Sequence, residues 1–313
     1  MPAPLVTVVV PGRDVAAFAH AAIASLQAQS EPRWRALLLD DGSTDDTGAI
    51  FDAAARDDPR FTVVHNPEPL GLGAARNVGL ARVDTPFVAF LDGDDEFTPF
   101  ALARTTQTLQ RTGSDFVAGA YVRSRWDGAG YRPGRVQPWV SAATDPEQLR
   151  TTIHEHPPAS ANVVAWSKVS RSDFWQRRRF PEGVAYEDQI LAQEMYTQAR
   201  AFDLIPDVLV RWRLRADGTS ITQSKAQLPV LHDYLSALRG GIDVLRRAEA
   251  HAAVVARLDL ILSMDVPPLE RIAAEHPDPA YRAALDDFLG ELRALPEFAD
   301  ARPDPALAAA LGW

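Results

Sequence analysis

The chain has 313 residues, a formal net charge of −10 and no cysteine. The acidic charge disfavours nucleic acid or an anionic membrane surface as a partner unless basic residues cluster locally. The lack of cysteine excludes disulfides, cysteine-ligated zinc and thiol nucleophiles. We expect a cytoplasmic protein, because the sequence has no signal-peptide pattern and no apolar run of the ~18 residues that a membrane span needs.

The first hundred residues alternate short apolar runs with segments of helical period. The runs that predict strands are residues 5–10, 35–39, 61–65 and 87–91, and the segments that predict helices include 15–29 and 72–82. This alternation indicates an α/β fold, and continuous apolar strands indicate a mainly parallel sheet with helices on both faces. Ligands of such sheets bind beyond the carboxyl ends of the strands. We therefore expect the polar clusters that follow these strands to share one crevice.

The pattern changes twice after residue 115. Strands are predicted over 115–126 and 208–214, and the turn signal Asp127-Gly128 follows the first of them. Beyond about residue 225, apolar residues recur at helical spacing instead. The sequence therefore predicts a larger α/β domain over residues 1–225 and a helical C-terminal region over 226–313.

The stretch FVAFLDGDDEF, residues 87–97, ends an apolar strand in a cluster of carboxylates. Asp92 and Asp94 are two residues apart on an extended segment, so their side chains point the same way and can converge on one cation. Gly93 between them lets the backbone approach a ligand closely. Oxygen ligands of this kind suit Mg²⁺ or Mn²⁺. A solvated acidic turn is the alternative, but a buried strand that ends in mutual repulsion favours a bound cation.

Two other strand ends carry candidate nucleotide contacts. Asp41 lies at the tip of the second strand, where its carboxylate can accept hydrogen bonds from a ribose or a base edge. The segment GLGAARN, residues 71–77, nearly matches a dinucleotide-binding fingerprint. Arg76 stands in place of the third glycine, however, and five residues separate the motif from its strand. We interpret Arg76 as a side chain that reaches a nucleotide or phosphate, with a solvated helix residue as the alternative.

The segment FPEGVAYEDQ, residues 180–189, places Glu187 and Asp188 at the start of a predicted helix. Acidic residues are common there because the helix dipole favours them, and that preference alone accounts for the pair. The same placement keeps a carboxylate ionised near neutral pH, as a general base must be. Asp188 is therefore a candidate base.

Seven segments, taken in order, make the sequence similar to the family-2 glycosyltransferases with the GT-A fold. They are VTVVVP, LLLDDGSTDDT, GLGAARN, FLDGDD, WSKVSRSDF, FPEGVAYED and RWRLRADGTSIT. The resemblance covers residues 4–223 and leaves the C-terminal helices unmatched. It implies inverting, metal-dependent transfer of a sugar from a nucleotide sugar, taken to be a UDP-sugar, to an acceptor hydroxyl. Within the family, the fifth and sixth segments resemble enzymes that decorate bacterial envelope polymers, including teichoic-acid glycosyltransferases.

The resemblance also implies which residues hold the nucleotide base. The base would lie against Pro11, Asp41 and Arg76. The sequence departs from many members after the first strand, where Gly12-Arg13-Asp14 replaces an aromatic residue and an asparagine. Arg13 can stack its planar guanidinium on a base, so the identity of the base is left open.

Further roles implied by the resemblance concern the sugar, the cation and the proton. Asp92 and Gly93 would contact the ribose or the sugar, Asp94 would bind Mn²⁺ or Mg²⁺, and Asp188 would be the base. The residues implied to close over the diphosphate are Arg213 or Arg215 together with Ser220.

The expected partners are a nucleotide-sugar donor and a glycan or polyol-phosphate acceptor, with the protein in the cytoplasm or peripheral at the inner face of the membrane. The C-terminal helices are interpreted as a homo-oligomer contact, an acceptor-binding element or a cap on the domain. A sugar-nucleotide nucleotidyltransferase is one alternative function, although its glycine-rich signature after the first strand is missing. A non-catalytic nucleotide-sugar binding protein is the other, and the intact Asp92, Asp94 and Asp188 count against it.

Overall fold

A computed structural model describes residues 3–215 and 224–302 of the chain. Within these residues, ten strands form one sheet in the order β3-β2-β1-β4-β9-β6-β10-β5, with β7 paired to β6 and β8 paired to β10. The strands are β1 (Val6–Gly12), β2 (Trp34–Asp41), β3 (Phe61–Asn66), β4 (Phe87–Phe90), β5 (Glu96–Phe97), β6 (Phe116–Trp126), β7 (Tyr131–Val136), β8 (Gln148–Thr151), β9 (Lys168–Arg171) and β10 (Phe202–Arg213).

The α-helices are α1 (Ala16–Gln27), α2 (Thr47–Asp57), α3 (Leu72–Leu80), α4 (Ala101–Thr112), α5 (Pro138–Thr144), α6 (Asp188–Gln198), α7 (Leu228–Arg247), α8 (His251–Leu260), α9 (Val266–Glu275) and α10 (Pro279–Arg293). Helices α1 to α6 alternate with the strands along the chain, and α7 to α10 come after the last strand. Among the described helices, none combines the length and the apolar character that crossing a membrane would require.

The first four strands form the parallel half of the sheet. β1 lies between β2 and β4 and is parallel to both, and β2 is parallel to β3. Every residue of β1 is buried, because β-branched valines fit a pleated surface that is covered on both faces. The carboxyl ends of β1, β2 and β4 therefore meet at one edge, and this confirms the α/β fold predicted from the alternating pattern.

The second half of the sheet is mixed. β9 lies between β4 and β6 and is antiparallel to both, whereas β10 is parallel to β6. β6 and β7 form an antiparallel pair across the predicted turn, where the Asp127 carboxylate accepts hydrogen bonds from the backbone N–H groups of Ala129 and Gly130, both at 2.9 Å. The predicted mainly parallel arrangement thus holds for β1–β4 and for the β6–β10 pair.

The C-terminal helices bury their apolar stripe inside the chain. The residues of that stripe on α7 are Leu231, Leu235, Leu238 and Ile242, all nearly inaccessible to solvent. Helix α7 packs directly on α6, since a methyl group added at Gly240 would overlap Ile190. These leucines are buried within one chain, so their burial does not require a second copy, and self-association stays a prediction. The division at residue 225 also stays a prediction.

Candidate active site

An open cavity of about 1040 Å³ lies at the carboxyl edge of β1, β2 and β4. Eight of the sequence-predicted site residues line it, namely Pro11, Arg13, Asp41, Arg76, Asp92, Asp94, Asp188 and Arg215. Pro11 belongs to β1, and Arg13 follows that strand with 55% of its side chain exposed. The structure therefore brings residues spread over more than two hundred positions to one cavity, as expected for the end of an open α/β sheet.

The acidic segment, residues 92–95, forms one wall of this cavity. Ligand oxygens of Asp92, Asp94 and Asp95 lie within 4.8 Å of one another. Burial raises the pKa of Asp94, the Arg215 guanidinium lowers it, and the charge of Asp92 raises it again. Burial and the neighbouring charge of Asp94 hold the pKa of Asp95 well above its usual range. Such repulsion between oxygen-only ligands is what a divalent cation relieves, so these residues fit Mg²⁺ or Mn²⁺.

Two arginines from the end of β10 hold the acidic segment from different sides. Arg215 forms an ion pair with Asp94, with 2.8 Å between its Nε and Oδ2, and it lines the cavity. Arg213 is buried behind the segment, where its Nε donates to the Asp94 carbonyl oxygen and its backbone N–H donates to the Asp95 carboxylate. Of the two predicted diphosphate contacts, Arg215 is the one at the cavity. Ser220 lies outside the described residues.

Gly93 lies close to the backbone of Pro11, at the end of β1. Its N–H donates to the Pro11 carbonyl oxygen over 2.9 Å, and a methyl group at this position would come within 3.1 Å of that oxygen and of the Val15 side chain. Gly93 therefore lets the acidic segment lie against the end of β1. The ligand contact predicted for it stays a prediction.

Asp41 shapes the loop that leads into α3. Its carboxylate accepts hydrogen bonds from the Asn66 side chain at 2.8 Å and from the backbone N–H groups of Leu70 and Gly71, both at 2.9 Å. Gly71 has a φ of 90°, in the region that favours glycine. Asp41 also lines the cavity, so the same side chain fixes the loop and forms part of the predicted base pocket.

Arg76 joins the acidic segment to the start of α6. It is buried, and its guanidinium pairs with Asp92 over 2.6 Å and with Glu187. Burial alone would lower the pKa of Arg76, but the charges of Asp92 and Glu187 raise it, so the side chain stays charged. Sequence reasoning missed Glu187 as a partner, because 111 positions separate it from Arg76.

Asp188 is the first residue of α6 and lines the cavity directly after Glu187. Burial raises the pKa of Asp188, and the positive charges of Arg76 and Lys168 lower it. Lys168, at the start of β9, is buried and donates to the carbonyl oxygens of Asn162 and Val164 at 2.7 and 2.8 Å. Burial lowers the pKa of Lys168 to about 7. The arrangement can hold a carboxylate that exchanges a proton near neutral pH.

A family model for glycosyl transferase family 2 matches residues 7–178, more than half of the chain. The chain belongs to glycosyltransferase family 2. This confirms the family resemblance, and the match spans the first five of the seven segments, from the second residue of VTVVVP to the end of WSKVSRSDF. The family assignment covers β1 to β9 but stops before Asp188 and before the C-terminal helices.

Curated relatives and a solved structure agree with this family. The chain is 26% identical to the uncharacterized glycosyltransferase EpsJ of Bacillus subtilis over 67% of its own length and 61% of EpsJ. It is 32% identical to the putative teichuronic acid biosynthesis glycosyltransferase TuaG of the same organism, over 40% of this chain and 50% of TuaG. The chain thus spans less than two thirds of the length of these two relatives.

The crystal structure of residues 1–349 of S. aureus TarS in complex with UDP-GlcNAc has a similar fold. Its TM-score to this chain is 0.75 at 20% identity, over 93% of this chain and 82% of the TarS chain. Such a likeness concerns the fold, and it extends beyond the family-model match into the C-terminal helices. It confirms the predicted GT-A architecture with a helical C-terminal region.

Among the residues that the sequence analysis did not name as site members are Asp95 and Lys168. Asp95 was seen only as part of the acidic cluster, although it lines the cavity and is buried. Lys168 lies in the quoted segment WSKVSRSDF, but its spacing carries no signal that it approaches Asp188. The sequence did offer one signal, a lysine at the start of an apolar strand, because a lysine is rarely buried unless its charge is paired.

Proposed function

We propose that the chain is an inverting, metal-dependent glycosyltransferase that moves a sugar from a UDP-sugar to a hydroxyl of a cell-envelope glycan or polyol polymer. One observation carries the proposal: the acidic segment and Asp188 line the same cavity and are joined by the buried Arg76. The site proposed for the cation and the diphosphate would thus adjoin the candidate base, as direct displacement at a sugar requires.

On the donor side, Asp92, Asp94 and Asp95 would hold Mn²⁺ or Mg²⁺. When bound, the cation would neutralise negative charge that builds on the leaving diphosphate, the form of electrostatic help usually worth most. Arg215 adds a second positive charge beside Asp94. Pro11, Arg13 and Asp41 would form the base pocket. Arg76 keeps Asp92 oriented through its ion pair.

On the acceptor side, Asp188 would remove the proton from the attacking hydroxyl. The acceptor oxygen forms a bond to the anomeric carbon while the bond from that carbon to the diphosphate oxygen breaks, and nucleoside diphosphate leaves with the electron pair. Attack from the face opposite the leaving group inverts the anomeric centre, so an α-linked donor yields a β-linked product. Asp188 must be ionised at the start of this step.

The relatives support the substrate classes. The name of TuaG refers to teichuronic acid biosynthesis, and the TarS structure contains UDP-GlcNAc. We extend both to this chain as a proposal, with transfer on the cytoplasmic side of the membrane. Residues 1–225 would form the catalytic domain, and the part of residues 226–313 that lines the cavity, from Tyr234 to Asp265, would complete its acceptor side.

The test is an assay of UDP release from a panel of UDP-sugars with envelope polymers as acceptors, in Mn²⁺ and in EDTA, followed by NMR of the product anomer. We expect Mn²⁺-dependent release of UDP and a product of inverted configuration. Release of pyrophosphate would favour the nucleotidyltransferase alternative. Binding of UDP-sugars without turnover of any acceptor would favour a binding protein, and a retained configuration would refute the role of Asp188.

A further inference from the structure

A second wall of the cavity, away from the acidic segment in sequence, carries three cations. We call Arg123, Lys225 and Arg257 the cationic wall. Arg123 comes from β6, Lys225 lies three residues before the first residue of α7 and Arg257 comes from α8, and all three line the cavity. Within residues 3–215 and 224–302, no carboxylate forms an ion pair with any of them. In a chain with a net charge of −10, three unpaired cations in one wall need an explanation.

Arg123 lies between two tryptophans. Its guanidinium carbon is 5.3 Å from the Trp139 ring centroid and 5.1 Å from that of Trp212. Its Nε is buried and has no hydrogen-bond partner among the described residues. Burial lowers the pKa of Arg123. The guanidinium therefore contacts two aromatic rings, and its buried Nε still has a hydrogen bond to offer.

Lys225 lies over aromatic rings without a carboxylate partner in the described parts of the chain. Its Nζ is 3.7 Å from the Tyr234 ring centroid and 5.7 Å from that of Tyr186. Burial lowers the pKa of Lys225, Asp265 raises it, and the positive charges of Arg123 and Arg257 lower it further. The three cations are thus close enough to repel one another.

Arg257 brings the wall next to the candidate base. It is 3% exposed, and its Nη2 donates to the side-chain oxygen of Gln189 at 2.7 Å. Gln189 directly follows Asp188. Tyr186, two residues before that base, has a φ of 60°, and its buried hydroxyl has no hydrogen-bond partner among the described residues. A charged arginine and a hydroxyl without a partner among the described residues therefore lie close in sequence or contact to the candidate base.

The nearby negative charge does not balance the wall. Asp265 also lines the cavity, but its carboxylate accepts a hydrogen bond from the Tyr234 hydroxyl at 2.5 Å. Asp188 lines the same cavity beside Arg257, but Arg76 and Lys168 already act on its charge and lower its pKa. Two carboxylates against the three cations of the wall leave a positive surplus in a partly desolvated site. Arg257 is buried and Arg123 and Lys225 are partly buried, and cations removed from water in this way are unfavourable until an anion joins them. The surplus therefore favours a ligand that brings negative charge.

We propose that the cationic wall binds a phosphate group of the acceptor, next to the hydroxyl that attacks the donor. The proposal rests on the proposed function and specifies the acceptor that this function uses. Arginine and lysine together suit phosphate oxygens, and the rings of Trp139 and Trp212 offer flat faces for the carbon skeleton of a sugar or polyol. The C-terminal helices would then be part of the acceptor site through Arg257.

The experiment measures acceptor binding directly, by tryptophan fluorescence, with UDP and Mn²⁺ at saturation so that the donor site is filled. The probes are a ribitol-phosphate oligomer, ribitol as its neutral counterpart, and a sugar linked to a short prenyl diphosphate. The variants are Lys225→Met and Lys225→Arg. Arg239→Met is the matched control, because Arg239 lies on α7 outside the cavity and pairs with Glu291.

We expect the oligomer to bind and ribitol to fail. Lys225→Met should weaken phosphate binding about tenfold or more, since hydrogen bonds to charged groups are worth that much. Lys225→Arg and Arg239→Met should bind nearly as the wild type does. Preference for the prenyl diphosphate probe, with the same dependence on Lys225, would support the phosphate site and assign its source to a lipid carrier.

Equal binding of ribitol and its phosphate, or phosphate binding that Lys225→Met leaves unchanged, would overturn the proposal. Failure of the proposed function looks different. In that case UDP does not bind or no acceptor turns over, whatever the Lys225 variants do. Turnover of the ribitol-phosphate oligomer at the wild-type rate by Lys225→Met would instead leave the proposed function intact and refute the phosphate site.

Discussion

Replacing Arg76 by methionine removes the buried cation that joins Asp92 to Glu187. Arg76 is 1% exposed, and the side chain of Glu187 is 5% exposed. Water therefore cannot readily replace the guanidinium beside the Glu187 carboxylate once Arg76 is removed. Removing one partner of a buried ion pair costs about 3–5 kcal/mol, because the remaining charge stays buried without compensation. We expect Arg76→Met to lower the free energy of unfolding by that amount at neutral pH.

Arg104 offers a matched control at the surface. It also pairs with two carboxylates, Asp207 at 2.9 Å and Glu147, but 27% of its side chain is exposed, and so are 44% and 35% of theirs. Exposed ion pairs contribute about 0–1 kcal/mol. Arg104→Met should therefore destabilise the protein by about 1 kcal/mol or less.

Urea unfolding with a common m-value gives both free energies. Burial raises the pKa of Glu187 and Arg76 opposes that rise, so in Arg76→Met the pKa of Glu187 rises further. A carboxyl whose pKa is raised on folding stabilises the protein below that pKa and loses this stabilisation as pH rises through it. The deficit of Arg76→Met should therefore shrink as pH falls, and adding Glu187→Gln should restore part of it at neutral pH. Equal losses for the Arg76 and Arg104 variants would refute this reasoning.

Three other variants test separate parts of the site. Asp188→Asn should abolish transfer, by about 100-fold or more as for loss of a general base, while calorimetry shows UDP binding unchanged; substantial turnover would remove Asp188 from its role. Lys168→Met should move the acid limb of the pH profile of kcat/KM to higher pH, because Asp188 loses a positive charge that lowers its pKa; an unmoved limb would contradict the coupling. Gly73→Ala should cost about 1–3 kcal/mol in thermal unfolding, since its methyl group would overlap the Pro181 carbonyl oxygen, and wild-type stability would show that this loop yields freely.

The sequence predicted the parallel half of the sheet and most of the cavity lining for a physical reason. Strands such as β1 and β4 are continuous apolar runs, and polar residues follow directly where each run ends. The carboxyl ends of parallel strands must meet, so Asp41 and Asp92 could be assigned to one crevice before any coordinates. The order of the segments along the chain then supplied the family.

Long-range pairing within the site was beyond that reasoning. Nothing in the periodicity around Arg76 indicates that Glu187 neutralises it, because the two residues meet only when α3 and the start of α6 come together in the fold. Strand β10 begins at Phe202, six residues before the predicted start, and register shifts between Ile205 and Val208 let it continue past a local break. A local pattern cannot predict such a bulge, since pairing with β6 decides it.

The C-terminal helices illustrate a different limit. Their helical period was readable from the apolar spacing, and the structure contains α7 to α10 where a helical region was expected. The sequence could not show that Arg257 lies at the cavity, because the position of α8 on the catalytic half depends on packing against other elements. A function for the cationic wall could therefore be inferred only from the structure.

The most direct test of the central claim is anomalous scattering from crystals grown with MnCl₂ and UDP. We expect one manganese peak among the carboxylates of Asp92, Asp94 and Asp95, in contact with the diphosphate, with the uracil against Pro11 and Asp41. Crystals of Asp94→Asn under the same conditions should lose the manganese peak. UDP bound in the cavity with no manganese at the acidic segment, or bound elsewhere on the protein, would contradict it.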